Sequence, residues 1–478
     1  MTIEPINWQL LMPELVVLCT FLIVMIFDLF ESIQKSWLAG VTILGSFIAL
    51  IVSFQMLQAG TDQTQFNQMI RVDSYSLYFN IIFLISTILV VLISINYLGR
   101  EDSRQGPYYL LILLATLGMM LMASGNELII VFLGLELMSL SLYILAGYFR
   151  TSMASSEAGM KYLLLGAFAS GFFLYGIALI YAGTGTTSIP GIASALTAGG
   201  SPLLLAGMLL LIVGLGFKVA LVPFHQWAPD VYEGAPTSIA AFISAGPKAA
   251  GFAALLRIFM DALQNLQPEW IGVITLIAIL TMTIGNVVAI AQRNIKRMLA
   301  YSSIAHAGYV LVGLAAANKD GISSAMFYLL VYCITNIGAF GAIILARTED
   351  GESLNISDYA GLGFRKPLLA LFMTIMLLSL AGFPPTAGFV GKFYLFRSAV
   401  EAGQIWLVII GAINTAISAF FYLRIVVTMY MKDAEEELDF LAYPSSLVIA
   451  LLIAAAGVIL IGILPSYLLD SAKLSTFL

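Results

Sequence analysis

Charge is what this sequence has least of. Of 478 residues only 10% are Asp, Glu, Lys or Arg, with two histidines and two cysteines besides. So little charge excludes an ordinary water-facing surface. Nothing resembles the basic stripe of a nucleic-acid-binding protein, so no nucleic-acid partner is expected. Cys19 and Cys333 lie in separate apolar runs without C-x-x-C spacing. That excludes iron–sulfur ligation by this chain alone and argues against a disulfide framework. There is no G-x-G-x-x-G after a strand, no Walker A loop and no pair of haem histidines. The chain therefore reads as one that holds no redox centre or metal and hydrolyses no nucleotide.

What is there instead is hydrocarbon. Hydrophobic residues make up 60% of the chain and mean hydropathy is +0.99, so the solvent is lipid. Net charge is −6, but in such a chain the placement of charge matters more than its sum. Apolar runs predict spans at 9–30, 37–57, 75–97, 107–123, 127–149, 157–182, 203–224, 237–259, 270–291, 295–316, 321–346, 366–400, 404–425 and 444–466. At ~1.5 Å per residue most of them fit a hydrocarbon core of ~30 Å. The first run is too long for a signal core and lacks a basic flank, so it reads as a span. The fold class is an all-α polytopic membrane protein of about 14 transmembrane helices. Helices 7 and 12 are interrupted, at Pro223 and at Gly382-Phe383-Pro384-Pro385.

Fourteen spans put both termini on one side. Thirteen basic residues fall in loops of the opposite side: Lys35, Arg100, Arg104, Arg150, Lys161, Arg293, Lys296, Arg297, Arg347, Arg365, Lys366, Arg424 and Lys432. Five share the side of the termini: Arg71, Arg257, Lys319, Arg397 and Lys473. The positive-inside rule makes the first side cytoplasmic and both termini external. The three cations left over, Lys218, Lys248 and Lys392, fall inside spans.

An internal repeat is visible at an offset of 166 residues. Met160, Tyr162, Leu163 and Leu164 match Met326, Tyr328, Leu329 and Leu330, and Gly216-Phe217 matches Gly382-Phe383. Five spans lie over five, and because five is odd the second copy is inverted, a pattern typical of transport folds. The predicted organisation is an N-terminal three-helix segment (1–106), two five-helix repeats (107–259 and 273–425) and a C-terminal segment (426–478). The Gly-, Thr- and Ser-bearing stretch 183–201 reads as a spacer.

The organising stretch is Gly214 to Pro229, where an apolar helix carries Lys218 and then breaks. Glu136, Lys248 and Lys392 also lie at bilayer depth, each costing ~2.5–3.5 kcal/mol on insertion scales unless buried or partnered. One such lysine is also explained by snorkelling or by a structural pair. Four such groups together point to ion handling, with the proton moving between amines as their contacts change. His306 shares a helix face with Ser302 and Tyr309 and reads as either a relay or a satisfied structural histidine. His225, at the cytoplasmic end of the break, reads as either a proton-uptake group or an interfacial side chain. Asp230 and Glu233 read as solvated loop acids.

Three stretches carry a resemblance: Leu135-Glu136-Leu137-Met138-Ser139-Leu140-Ser141-Leu142-Tyr143, Lys218 through Pro236, and Gly388-Phe389-Val390-Gly391-Lys392-Phe393. With Lys161 to Ala167, they make the chain resemble the antiporter-like membrane subunits of proton-pumping NADH:quinone oxidoreductase, respiratory complex I. The residues after Glu136 look like the N type rather than the L or M type. The resemblance spans essentially the whole chain. It implies that Glu136 and Lys218 form a modulating pair, that Lys248 joins the two halves along a midplane axis, and that Lys392 is the second-half proton site. It implies no cofactor here, with FMN, iron–sulfur clusters and quinone in other subunits. It implies neighbours in a membrane arm, including antiporter-like subunit M and small subunit K, within a bacterial plasma membrane, with organelle-encoded relatives left open. The alternatives are a subunit of a multi-subunit cation/proton antiporter and a membrane scaffold whose buried charges guide assembly.

Overall fold

With no water at bilayer depth, each backbone N–H and C=O must find its partner within the chain, and helices do this segment by segment. The computed structural model describes residues 6–30, 36–98, 105–196, 200–348, 351–434 and 440–477. Lys35, Arg100 and Arg104, counted above as cytoplasmic loop cations, lie outside the described residues. The N-terminal part holds α1 (Met12–Asp28), α2 (Ser36–Gln58) and α3 (Ser74–Leu98). Then come α4 (Gln105–Ser124), α5 (Leu128–Ala146), α6 (Met153–Thr184), the short α7 (Ile189–Ala195), α8 (Pro202–Lys218), α9 (Trp227–Gly234), α10 (Thr237–Ser244) and α11 (Gly246–Arg257). The second half holds α12 (Gln267–Ala291), α13 (Ile295–Ala316), α14 (Lys319–Leu345), the one-turn α15 (Leu362–Arg365), α16 (Pro367–Ala381), α17 (Ala387–Glu401) and α18 (Ile405–Met431). The chain closes with α19 (Ser445–Ile463) and α20 (Ser466–Leu474).

Helix occupies every one of the fourteen predicted ranges, and eleven helices among the described residues are long and apolar enough to cross a membrane. Two hairpins were not foreseen: β1 (Gln63–Gln65) with β2 (Ile70–Val72), and β3 (Arg347–Thr348) with β4 (Gly351–Glu352). Nor is 183–201 only a spacer. Ser188 caps α7, whose Ile189 and Ile192 are buried against the π-helical turn that follows α11.

The helices divide into an outer and an inner set. α2, α6, α18 and α19 leave much of their length facing outward, whereas α10, α11, α13 and α14 are packed nearly all round. The inner set holds Lys248 and His306. In the first half α4 packs on α5, α5 on α6, and α6 on both α8 and α9. In the second half α12 packs on α13, α13 on α14, and α14 on both α16 and α17.

The break between α16 and α17 depends on two glycines. Gly382 has φ +87° and ends α16 where an L residue would be strained, and a Cβ there would lie 3.2 Å from the Lys392 side chain. At Gly388 an added Cβ would sit 1.8 Å from the backbone oxygen of Ser379, so α17 can only start this close to α16 without a side chain. Gly388→Ala is expected to lower the stability of the assembled protein by about 1–3 kcal/mol, seen as a lower thermal midpoint in detergent. An unchanged midpoint would mean that the two half-helices separate freely.

Candidate functional site

Lys218, Lys248 and Lys392 are 4%, 2% and 3% exposed. Among the described residues, no carboxylate lies within 4.0 Å of any of the three ammonium groups. Each is held by hydroxyls or carbonyls instead.

Lys218 is the last residue of α8. The chain then passes through Ala220 at φ +59°, a conformation costly for a residue with a Cβ, and reaches Pro223, which has no N–H to give. The polar groups freed by the break are satisfied locally: Thr281 Oγ1 accepts from Val222 N–H at 3.1 Å, and Phe217 O accepts from Trp227 Nε1 at 2.9 Å. Lys218 Nζ donates to Ser139 Oγ at 2.9 Å and to Tyr162 OH at 3.1 Å. Glu136 lies one turn before Ser139 on α5, is half-buried, and accepts from Ser170 Oγ of α6. The structure thus brings Lys218 to within one turn of Glu136 along α5, without a direct ion pair.

Lys248 stands in the first turn of α11, just past the backbone irregularity at Ala245. Its Nζ donates to the backbone oxygen of Ser303 at 2.7 Å and to its Oγ at 2.5 Å, and Tyr332 OH donates to the same Oγ at 2.8 Å. The Tyr332 ring lies 5.0 Å from that of His306. Both nitrogens of His306 are engaged by phenols, Nδ1 with Tyr328 OH at 2.6 Å and Nε2 with Tyr422 OH at 3.1 Å. Tyr422 is bonded in turn to Ser302. Lys392 Nζ donates to the free carbonyls that end α16, Leu380 O at 3.0 Å and Ala381 O at 3.1 Å, and lies 4.7 Å from the centre of the Tyr309 ring. These carbonyls carry the negative end of the α16 dipole.

His225 is half-buried at the break, and its Nδ1 has no hydrogen-bond partner among the described residues. The structure does not bring it together with the lysines as it does Glu136 and Lys218. Asp230 and Glu233 keep 36% and 37% of their side chains exposed, but they stand on α9 and not in a loop, and both are paired. Asp230 accepts from Lys161 at 2.7 Å and from Arg297 at 2.8 Å, and Arg297 reaches Glu233 at 2.6 Å. Burial pushes the Asp230 carboxyl up, but the two cations outweigh it and hold the group below the usual carboxylate value. Two of the cations counted in loops, Arg257 and Lys296, are buried: Arg257 donates from Nη2 to both oxygens of Asp73, and Lys296 donates to Ala235 O.

Residues 125–418 match the family described as "NADH:quinone oxidoreductase/Mrp antiporter, TM". The NADH-quinone oxidoreductase subunit N of Trichlorobacter lovleyi is 48% identical over 477 residues, 98% of this chain and 97% of that one. The chain belongs to the NADH-quinone oxidoreductase subunit N family. A chain of respiratory complex I from Thermus thermophilus, solved with bound Aureothin, is similar at 33% identity with a TM-score of 0.83, covering 97% of this chain and 100% of that chain. A chain of the Mrp complex from Dietzia sp. shares the fold, at a TM-score of 0.87 and 20% identity over 98% of this chain and 97% of that one. For this subunit N family member the motif reading singled out the charges. It passed over the hydroxyls that hold them: Ser139 and Tyr162 at Lys218, Ser303 and Tyr332 at Lys248, Tyr328 and Tyr422 at His306. A signal was present for two, because Tyr162 and Tyr328 form one of the pairs at offset 166. The remainder are ordinary polar residues in apolar helices until packing brings them together.

Proposed function

We propose that this chain translocates protons in the membrane arm of an NADH:quinone oxidoreductase, through an axis formed by Glu136, Lys218, Lys248, His306 and Lys392. One observation carries the proposal: three buried lysines whose hydrogen bonds, among the described residues, go only to hydroxyls and carbonyls. An ammonium paired with a buried carboxylate would strand a charge each time it lost its proton. Lysines held by neutral groups change protonation state without that penalty. Quinone reduction elsewhere in the complex supplies the energy, as charge shifts arriving through Glu136. His225 is assigned to proton uptake, on its position alone.

The same reading takes 107–259 and 273–425 as inverted five-helix repeats within a 14-helix fold, flanked by 1–106 and 426–478. The matching neighbours of α4–α9 and α12–α17 support it. It places both termini outside and the Lys161–Asp230–Arg297 network on the cytoplasmic face, an assignment supported by the meeting there of residues from three different predicted loops. Antiporter-like subunit M and small subunit K are the expected neighbours. FMN, iron–sulfur clusters and quinone belong to other subunits, and this chain carries no redox centre. An antiporter component would use the same lysines, and relatives named as subunit N at 48% identity favour the oxidoreductase.

The test is Lys248→Ala in the intact complex, reconstituted in vesicles with quinone reduction and lumen acidification followed together. We expect normal assembly and loss of proton translocation. Lost assembly would favour a scaffold, and wild-type pumping would remove Lys248 from the axis.

A further inference from the structure

Lys392 has a feature that Lys248 lacks among the described residues: its ammonium group lies against the face of a tyrosine. Lys392 Nζ is 4.7 Å from the centre of the Tyr309 ring, whereas Lys218 Nζ, 5.2 Å from the centre of the Tyr162 ring, sits at that ring's hydroxyl and not over its face. The Lys392 distance falls in the range where the ring quadrupole attracts a cation. The Tyr309 ring is itself fixed. Tyr309 OH accepts from Asn286 Nδ2 at 3.3 Å and from Thr415 Oγ1 at 3.4 Å, and Asn286 is bonded to Asn414.

Resting on the proton-translocation reading, we propose that the face of Tyr309 acts as the counter-ion of Lys392, in place of a carboxylate at the second helix break. A ring face favours the ammonium only modestly and bears no charge of its own. The lysine therefore gains a preference for its loaded form without being clamped in it. Asn286 is a positioning residue in this scheme, holding the ring under the amine.

The titratable groups around Lys392 are His306 and Tyr309 of α13, Tyr328 of α14 and Tyr422 of α18. Helices α16 and α19 bring none, and on α17 itself Arg397 and Glu401 pair with each other.

The experiment compares Tyr309→Leu, Tyr309→Phe and Lys392→Ala in the whole complex, reading proton-coupled quinone reduction against pH. Without the face, the ammonium is less favoured and the lysine empties at lower pH. Tyr309→Leu should therefore move the alkaline limb down by about one pH unit. Tyr309→Phe keeps the face without the hydroxyl and should restore the limb. If Phe shifts the limb as far as Leu, or Leu shifts it not at all, the ring face is not the counter-ion. If Tyr309→Leu does not assemble, Tyr309→Trp takes its place: a limb at or above the wild-type pH supports the proposal, and a limb below it overturns the proposal. Lys392→Ala tells the carrier role of the lysine apart from the counter-ion role of the ring. Wild-type pumping in that variant defeats the proton-carrier reading itself, whereas lost pumping beside an unshifted Tyr309→Leu defeats only the aromatic counter-ion.

Discussion

Lys218→Arg should assemble normally and yet lose proton-coupled quinone reduction at least about tenfold, performing no better than Lys218→Ala. The guanidinium does not release its proton in a protein, so the variant keeps the charge and loses the exchange. It also presents five donors to a site whose acceptors are Ser139 Oγ and Tyr162 OH. Lysine serves at this position because it is a compact amine that works in either state. The measurement is quinone reduction with vesicle acidification, beside a native gel that reports assembly. If Lys218→Arg matches wild type, a fixed charge is all the site requires and the carrier reading of Lys218 is wrong.

Arg257→Ala should destabilise the protein by about 3–5 kcal/mol, more than Gly388→Ala does. Arg257 is 1% exposed and gives Asp73 two hydrogen bonds from Nη2, at 2.8 and 3.0 Å. Asp73 is itself buried and accepts from the N–H of Ser76 at the start of α3. Removing the cation leaves that carboxylate with Ser76 and with Arg71 at 3.5 Å. The guanidinium also lies 4.8 Å from the Tyr75 ring and 5.7 Å from the Phe477 ring, so the truncation opens space beneath the C-terminal segment. The thermal midpoint of the solubilised complex measures the effect. Arg257→Lys should recover only part of it, because an ammonium lacks the flat guanidinium that lies against the Tyr75 and Phe477 rings. A loss below about 1 kcal/mol would mean that water already reaches the pair.

The helices were legible because lipid leaves the sequence little freedom: a span must be long, apolar and uninterrupted, and Pro223 and Pro384 stand out because they violate that rule. The four intramembrane charges were legible for the same reason. What holds them was not. Ser303 and Tyr332 come from different helices, and no pattern in either announces that both turn towards Lys248. Arg257 and Lys296 were misplaced in loops because a cation at a span end looks the same in sequence whether it faces water or a buried carboxylate. Nothing in the sequence tied Asp230 to Lys161 and Arg297, 69 and 67 positions away in the chain, which the fold brings to its two oxygens.

Glu136 carries a consequence for biogenesis. It is half-buried on a face of α5 where Leu133, Leu140 and Ile144 point outward. In a bilayer holding this chain alone, part of that residue faces hydrocarbon, where a charge costs on the order of 3 kcal/mol on insertion scales. A neighbouring subunit that covers the face removes the cost. An orphan chain is therefore expected to turn over faster than an assembled one, and Glu136→Leu to narrow that difference in a pulse–chase with and without the neighbouring subunits.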